Sequence, residues 1–181
     1  MNSIELRVPD DDDIAAMWRI ESAGDIWTTW RAGGSTIGLE EFRSNFWTGV
    51  LAQWVVVSSA APQHLRGLVV FYDYNAWDGY CRAGYCSYTP LGVTAAAGLA
   101  MAIDRIFDDL PLRKVYFDTV GANRPTPGGT MSRFCRKEGT VREYGFVGGE
   151  WTDLEVWSID RDTWVREPRR LIRGTGWPHR N

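Results

Sequence analysis

The chain has 181 residues, 44% hydrophobic and 24% charged, a composition that fits one globular domain with a sizeable core. Twenty lysines and arginines against 23 aspartates and glutamates leave a net charge of −3, which excludes a general attraction to nucleic acid or anionic membrane. No run approaches the ~18 apolar residues of a spanning helix, and Met1-Asn2-Ser3-Ile4-Glu5 lacks the basic and apolar regions of a secretory signal, so the expected location is the cytoplasm.

Ile4 to Val8 alternate apolar and polar residues, which predicts a short first strand. Pro9 and the acidic run Asp10–Asp13 suit the positive end of a helix dipole, and Ile14, Met17 and Trp18 follow at helical spacing. Ser22-Ala23-Gly24 ends that helix, and Trp27 to Gly34 has neither period and is expected to be a loop. A second amphipathic helix presents Phe42, Phe46, Trp47 and Val50 on one face. Three strands follow: Trp54 to Ser58, Leu68 to Tyr72 after a loop over Pro62 to Gly67, and Tyr80 to Tyr88 after the Asp78-Gly79 turn signal. Ala95 to Asp109 is strongly helical, and Lys114 to Val120 is a buried-type strand. A loop through Pro125, Pro127, Gly128 and Gly129 leads to a short helix around Met131 to Arg136. Thr140 to Val147 and Glu150 to Ile159 then flank Gly148-Gly149, a tight-hairpin signal.

The predicted order is β-α-α-β-β-β-α-β-α-β-β, a mixed α/β (α+β) domain over 1–165 with a basic tail over 166–181. Cys81, Cys86 and Cys135 are too few for a disulfide framework, and with only His64 and His179 beside them no metal site is expected. Buried structural thiols are the simpler assignment. Ten tryptophans are many for this length, and most are expected in the core or lining a groove. The tail carries Arg166, Arg169, Arg170, Arg173, His179 and Arg180 with Trp177, a set that could grip RNA phosphates and stack a base. A solvated, disordered or homodimer-contacting terminus is the alternative.

Three stretches carry a resemblance. They are Ile103-Asp104-Arg105-Ile106-Phe107 with Leu112 to Asp118, Asn123 with Glu138-Gly139-Thr140-Val141-Arg142, and Gly148 to Asp153 with Trp157-Ser158-Ile159. In this order and spacing the chain resembles the GNAT N-acetyltransferase superfamily from about residue 4 to residue 164. The nearest likeness is to its ribosomal-protein N-terminal-acetyltransferase-like branch. The resemblance implies a central, twisted, mostly antiparallel sheet of about seven strands with about four helices, its fourth and fifth strands splayed apart. It also implies an acyl-CoA co-substrate and transfer of an acetyl or other acyl group to a primary amine, in a ternary complex, with no metal.

By that resemblance pantetheine pairs with the fourth strand near Ser87 and Tyr88. The pyrophosphate lies on Gly92, Val93, Thr94, Ala95, Ala96 and Ala97, where free N–H groups at a helix start hold phosphate oxygens. The family turn R/Q-x-x-G-x-G/A is degenerate here: Pro90 stands at its basic or amide position and Val93 at its first glycine. Asn123 would meet the pantetheine, or else bond its own loop. The family's general-acid tyrosine is replaced by Thr130 or Met131. By the same resemblance Asp118 lies on the fifth strand, where family members often carry a carboxylate, and is the candidate base, while the backbone around Ser87 is the thioester carbonyl's donor. Asp118 could equally be a structural carboxylate.

For the acceptor, Trp27, Trp30 and Arg31 offer stacking and a carboxylate clamp, and Tyr72 and Tyr85 could line the same groove or merely pair across strands. The Trp-rich loops favour an enclosed pocket and hence a small-molecule or amino-acid-like amine. Two other functions fit the sequence. One is transfer from an aminoacyl-tRNA or a carrier-protein thioester, and the other is a non-catalytic binding module. No membrane partner is implied.

Overall fold

The computed structural model of the protein describes residues 4–23, 37–89, 93–120, 130–166 and 172, with the backbone alone at 93–95, 130 and 131. The elements are β1 (Ile4–Arg7), α1 (Asp11–Ser22), α2 (Leu39–Asn45), β2 (Val50–Ser58), β3 (Ala61–Asn75), β4 (Tyr80–Ser87) and α3 (Val93–Asp109). They continue with β5 (Lys114–Val120), α4 (Thr130–Phe134), β6 (Arg136–Val147), β7 (Glu150–Asp160) and α5 (Arg161–Arg166). Seven strands form one sheet in the order β1-β2-β3-β4-β5-β7-β6. Every neighbouring pair is antiparallel except β4 and β5, which run parallel. No helix among the described residues is long and apolar enough to cross a membrane.

The acidic run does open α1. Asp10 accepts from the Asp13 N–H and Asp13 accepts from the Asp10 N–H, both at 2.9 Å, a reciprocal cap. Arg7 Nη2 of β1 donates to Asp13 at 2.9 Å and fastens the helix start to the sheet.

Strand alternation sorts the apolar residues onto two faces. On one, Val56, Val69, Phe71, Cys81, Ala83, Val115 and Phe117 pack under α3, with Met101, Ile106 and Phe107, and reach Trp164 of α5. On the other, Val55, Val57 and Leu68 meet Ile14 and Met17 of α1 and Phe42 and Phe46 of α2. Contact with α3 is unusually close at Gly98, where a Cβ would lie 2.5 Å from Val56 Cγ1. Cys81 and Cys86 are both buried, and burial pushes the Cys81 thiol up to about 12.

Several sequence expectations are corrected. Residues 62–67 are not a loop but part of the fifteen-residue β3, whose turn from β2 lies at Ser59 and Ala60. Pro62 is tolerated because β4 pairs with β3 only from Gly67 onward and the β2 register is broken there, so its missing N–H interrupts no ladder. Val50 leaves the α2 face: Gly49, at φ +70, turns the chain so that Val50 begins β2 opposite Tyr72, four residues before the predicted start. The helix expected over 131–136 spans Thr130–Phe134, β6 begins at Arg136 rather than Thr140, and α5 brings the described helices to five. Among the described residues three tryptophans are exposed: Trp47, Trp151 and Trp77, the last at 96%. The tail is not wholly solvated, since Ile172 is buried in the α3-side core.

β6 departs from a regular edge. Val141 pairs with Leu154 and Gly145 with Thr152, so two extra residues are accommodated between them, with Glu143 at φ +48. Exposed Tyr144, Phe146 and Trp151 surround this bulge, the latter two in edge-to-face contact at 5.4 Å.

Candidate active site

The central feature is a parting of the sheet. The β4–β5 ladder has four pairs, from Tyr80↔Lys114 to Ala83↔Phe117. Beyond it, among the described residues, β4 runs on to Ser87 paired only with β3, and β5 runs on to Val120 paired only with β7. The Tyr88 N–H donates to the Arg66 carbonyl at 2.9 Å. Alternation along an antiparallel strand therefore turns the backbone groups of Tyr85 and Ser87 away from β3, into the gap. α3 begins at Val93, six residues after β4 ends, and its first-turn N–H groups have no partner within the helix.

Asp118 stands where the strands part, on the face opposite α3. Arg82 Nη1 donates to its Oδ2, while Arg82 Nε donates to Asp73 at 3.0 Å. Asp73 reaches Arg82 from a bulge between Tyr72 and Asn75, where it takes φ +52. Desolvation opposes the Arg82 charge, but Asp118 and Asp73 outweigh it and raise its pKa. Asp118 Oδ1 is buried with no hydrogen-bond partner among the described residues. Tyr72 pairs with Arg82 across the strands. Burial and then the Asp118 charge push its hydroxyl upward, with Tyr144 near enough to add to the effect, so Tyr72 remains a proton donor.

Toward the closed end of the same face, Tyr116 packs edge-on against Tyr80 at 5.6 Å and lies under Arg82 and Lys114. Lys114 Nζ donates to Glu138 at 2.8 Å, Ser158 Oγ at 2.6 Å and Arg136 at 2.9 Å. In that order these bonds hold the Glu138 carboxyl at about 2. The Glu138-Gly139 motif thus fastens β6 across β7 to β5.

The other predicted residues divide clearly. Ser87 Oγ donates to the Thr89 carbonyl at 2.6 Å and closes β4. Tyr88 faces α1 and α2 and donates to Glu21 Oε1 at 2.6 Å. Tyr85 lies on the α3 face with its ring over Gly67, so Tyr72 and Tyr85 occupy opposite faces. Ala96 is half-buried and Ala97 buried in the first turns of α3, and for Val93, Thr94 and Ala95 only the helical backbone is described. Trp27, Trp30, Arg31, Gly92 and Asn123 lie outside the described residues.

Two residues at the site were not singled out from sequence. Arg82 had a signal, as a lone cation within an otherwise apolar or aromatic strand. Glu21 had none, since an acid in a helix's last turn looks like any solvated residue. Among the described residues no group of three or more His, Cys, Asp or Glu could hold a metal. A concavity of about 580 Å³ beside Leu112, Arg113, Asp160 and Arg161 lies at the closed end, away from the gap. There Arg113 and Arg161 donate to backbone carbonyls of Asp78 and Leu112, each at 2.6 Å, and so seal the α3–β5 and β7–α5 joints.

No protein-family model matches the sequence, and no curated protein matches it. Solved structures do. The fold is similar to that of spermidine N-acetyltransferase from Vibrio cholerae in complex with CoA and spermine, with TM-score 0.74 and 18% identity over 92% of this chain and 100% of that one. It is also similar to an acetyltransferase of the GNAT family from Bacillus anthracis, with TM-score 0.71 and 17% identity over 88% and 96%. The chain has the GNAT fold.

Proposed function

We propose that the protein is an N-acyltransferase that moves an acetyl or related acyl group from acyl-CoA to a primary amine of a small-molecule or amino-acid-like acceptor. The observation that carries this reading is the gap itself: two parallel strands part after four pairs, leaving the Tyr85 and Ser87 backbone edge open beside Asp118. A CoA-bound structure of the same fold supports it.

In this reading the pantetheine amides pair with the free edge of β4 as an added strand would. The pyrophosphate rests on the N–H groups of Thr94 to Ala97, helped by Gly92 and Val93, and Asn123 closes on the pantetheine. These donors belong to the backbone, so they survive the degenerate turn at Pro90 and Val93. The Ser87 N–H polarises the thioester carbonyl. Asp118 Oδ1, with no hydrogen-bond partner among the described residues while Arg82 holds Oδ2, receives one proton of the acceptor ammonium. The freed amine attacks the carbonyl carbon, the C–S bond breaks, and the departing thiolate takes the second proton. Tyr72, kept protonated, steers the amine, and Trp27, Trp30 and Arg31 complete the enclosure; Tyr85, on the opposite face, takes no part in it. The likeness to the ribosomal-protein branch belongs to this reading, while Pro90 and Val93 favour one rival, an acyl donor carried on a protein or tRNA.

Calorimetry with acetyl-CoA and a transfer assay on Asp118→Asn test it together. Acetyl-CoA should bind both proteins alike, and the variant should lose about 10²–10⁴-fold in turnover. Absence of acetyl-CoA binding at saturation, or full activity in the variant, sinks the proposal.

A further inference from the structure

Asp73 takes no part in acyl transfer as described, yet it holds the cation that holds Asp118. A regular strand would turn Asp73 to the face opposite its neighbour Tyr72, and Tyr72 lies across from Arg82 in the β3–β4 register. Instead the register breaks between Tyr72 and Asn75, Asp73 takes φ +52, and its carboxylate accepts from Arg82 Nε at 3.0 Å. Positive φ is uncommon outside glycine, and a bulge of this kind re-aims a side chain. Stability does not explain the contact. With 57% of the Asp73 side chain exposed, such an ion pair contributes little.

The guanidinium geometry offers a reason. Arginine frequently closes on a carboxylate with two parallel N–H bonds. Arg82 does not: it gives Nη1 to Asp118 Oδ2 and Nε to Asp73. Its guanidinium also lies over the Tyr116 ring, 5.9 Å from the centroid. Asp118 Oδ1 is thereby left buried and without a hydrogen-bond partner among the described residues.

We propose that Asp73 is a positioning residue for the reaction. By drawing Arg82 to itself through Nε, it keeps the guanidinium on one oxygen of Asp118 and leaves the other open to the acceptor's proton. The proposal rests on the acyltransferase reading for what Oδ1 receives, but the division of Arg82 between two carboxylates does not depend on turnover.

The test combines crystal structures with kcat–pH profiles, using acetyl-CoA with butylamine and benzylamine, on wild type, Asp73→Gly, Asp73→Asn, Arg82→Lys and Asp73→Gly/Arg82→Lys. Glycine and asparagine both accept the left-handed backbone, so the bulge is kept. In Asp73→Gly, Arg82 should close on both oxygens of Asp118. There kcat should fall about tenfold, the worth of the charge-assisted hydrogen bond that must break before the proton transfers. Losing a like charge and gaining a hydrogen bond both favour ionised Asp118, so the acid limb should move to lower pH. The nearby phenols of Tyr72 (β3), Tyr116 (β5) and Tyr144 (β6), and Lys114 and Glu138 toward the closed end, are the same in every variant. Asp73→Asn, which keeps an acceptor but not the charge, should fall between, and acetyl-CoA affinity by calorimetry should be unchanged by either Asp73 substitution. Lysine offers a single charged point rather than a fork, so Asp73→Gly should change little in the Arg82→Lys background.

Wild-type kcat and pH profile in Asp73→Gly overturn the proposal, as does the same loss in the Arg82→Lys background. Arg82 still on one Asp118 oxygen in the Asp73→Gly crystal structure also overturns it. If that variant fails to fold, Asp73→Asn is read by the same criteria. Arg82 closing on both oxygens in a protein that acylates no amine keeps the hold of Asp73 on Arg82 and removes the transferase reading. Transfer by wild type, with Arg82 unmoved in the variant, does the reverse.

Discussion

Replacing Gly98 by alanine measures how closely α3 must lie on the sheet. The new Cβ would stand 2.5 and 2.7 Å from the two methyls of Val56 and 3.2 Å from its Cβ, where carbon atoms rest at about 3.5–4.0 Å. The overlap is thus about 1 Å on both methyls. Val56 cannot turn aside, because a β-branched side chain is stiff at χ1 and this one is fully enclosed in the α3-side core. Overpacking of this kind costs about 1–3 kcal/mol, and alanine returns about 1 kcal/mol through its helix propensity. An overlap this deep on two methyls puts the cost in the upper part of that range, at about 2–3 kcal/mol, so the expected net loss is about 1–2 kcal/mol, or roughly 2–8 °C in Tm for a chain of this size. Urea denaturation of Gly98→Ala, Val56→Ala and the pair provides the assay. The double variant should lose less than the sum of the singles by about 1 kcal/mol, since Val56→Ala removes the methyls that clash. Gly98→Ala as stable as wild type, or strict additivity, refutes the reasoning. The proposed pyrophosphate donors ride on the same helix, so acetyl-CoA affinity should fall with it.

Two further outcomes follow from titration. Glu138 has its pKa lowered to about 2, against an ordinary value of 4.5, so its contribution is fully present above 4.5 and is lost as the pH falls through about 2. Glu138 is exposed, so solvent screening removes much of this, and Glu138→Gln should be about 1 kcal/mol less stable near neutrality and show a flatter dependence over that acid window. Parallel pH curves for the two proteins would sink this. Burial pushes Cys81 and Cys135 up to about 12, which suppresses the reactive thiolate. Both should resist iodoacetamide at pH near 8 until urea opens the core, and rapid labelling of native protein would contradict the burial argument.

The sequence showed the element order because each element carries its own period or punctuation. Asp10–Asp13 cap α1 as their charges require, and Gly148 and Gly149, at φ +64 and +88, form the tight β6–β7 turn. It misplaced residues 62–67 because proline and glycine normally break strands, and the broken β2 register together with the absence of a β4 partner among the described residues makes Pro62 harmless. The groove was legible where chemistry and strand position coincide, as at Asp118. It was illegible where meaning comes from a partner distant in the chain. Glu21 finds its partner in Tyr88, 67 residues on, and Arg82 in Asp118, 36 residues on.

The bulge in β6 bears on how these molecules behave in a crowd. An outermost strand of twelve residues is a template on which another chain can lengthen the sheet, and aromatic neighbours would reward that growth. Two surplus residues around Glu143 break the regular comb of donors and acceptors, and Arg136, Lys137, Glu138 and Arg142 set charge along the rest. At the other margin β1 offers only four residues. Fibre-like stacking is thereby discouraged from both sides, which lets the protein carry Tyr144, Phe146 and Trp151 on its surface without seeding aggregates.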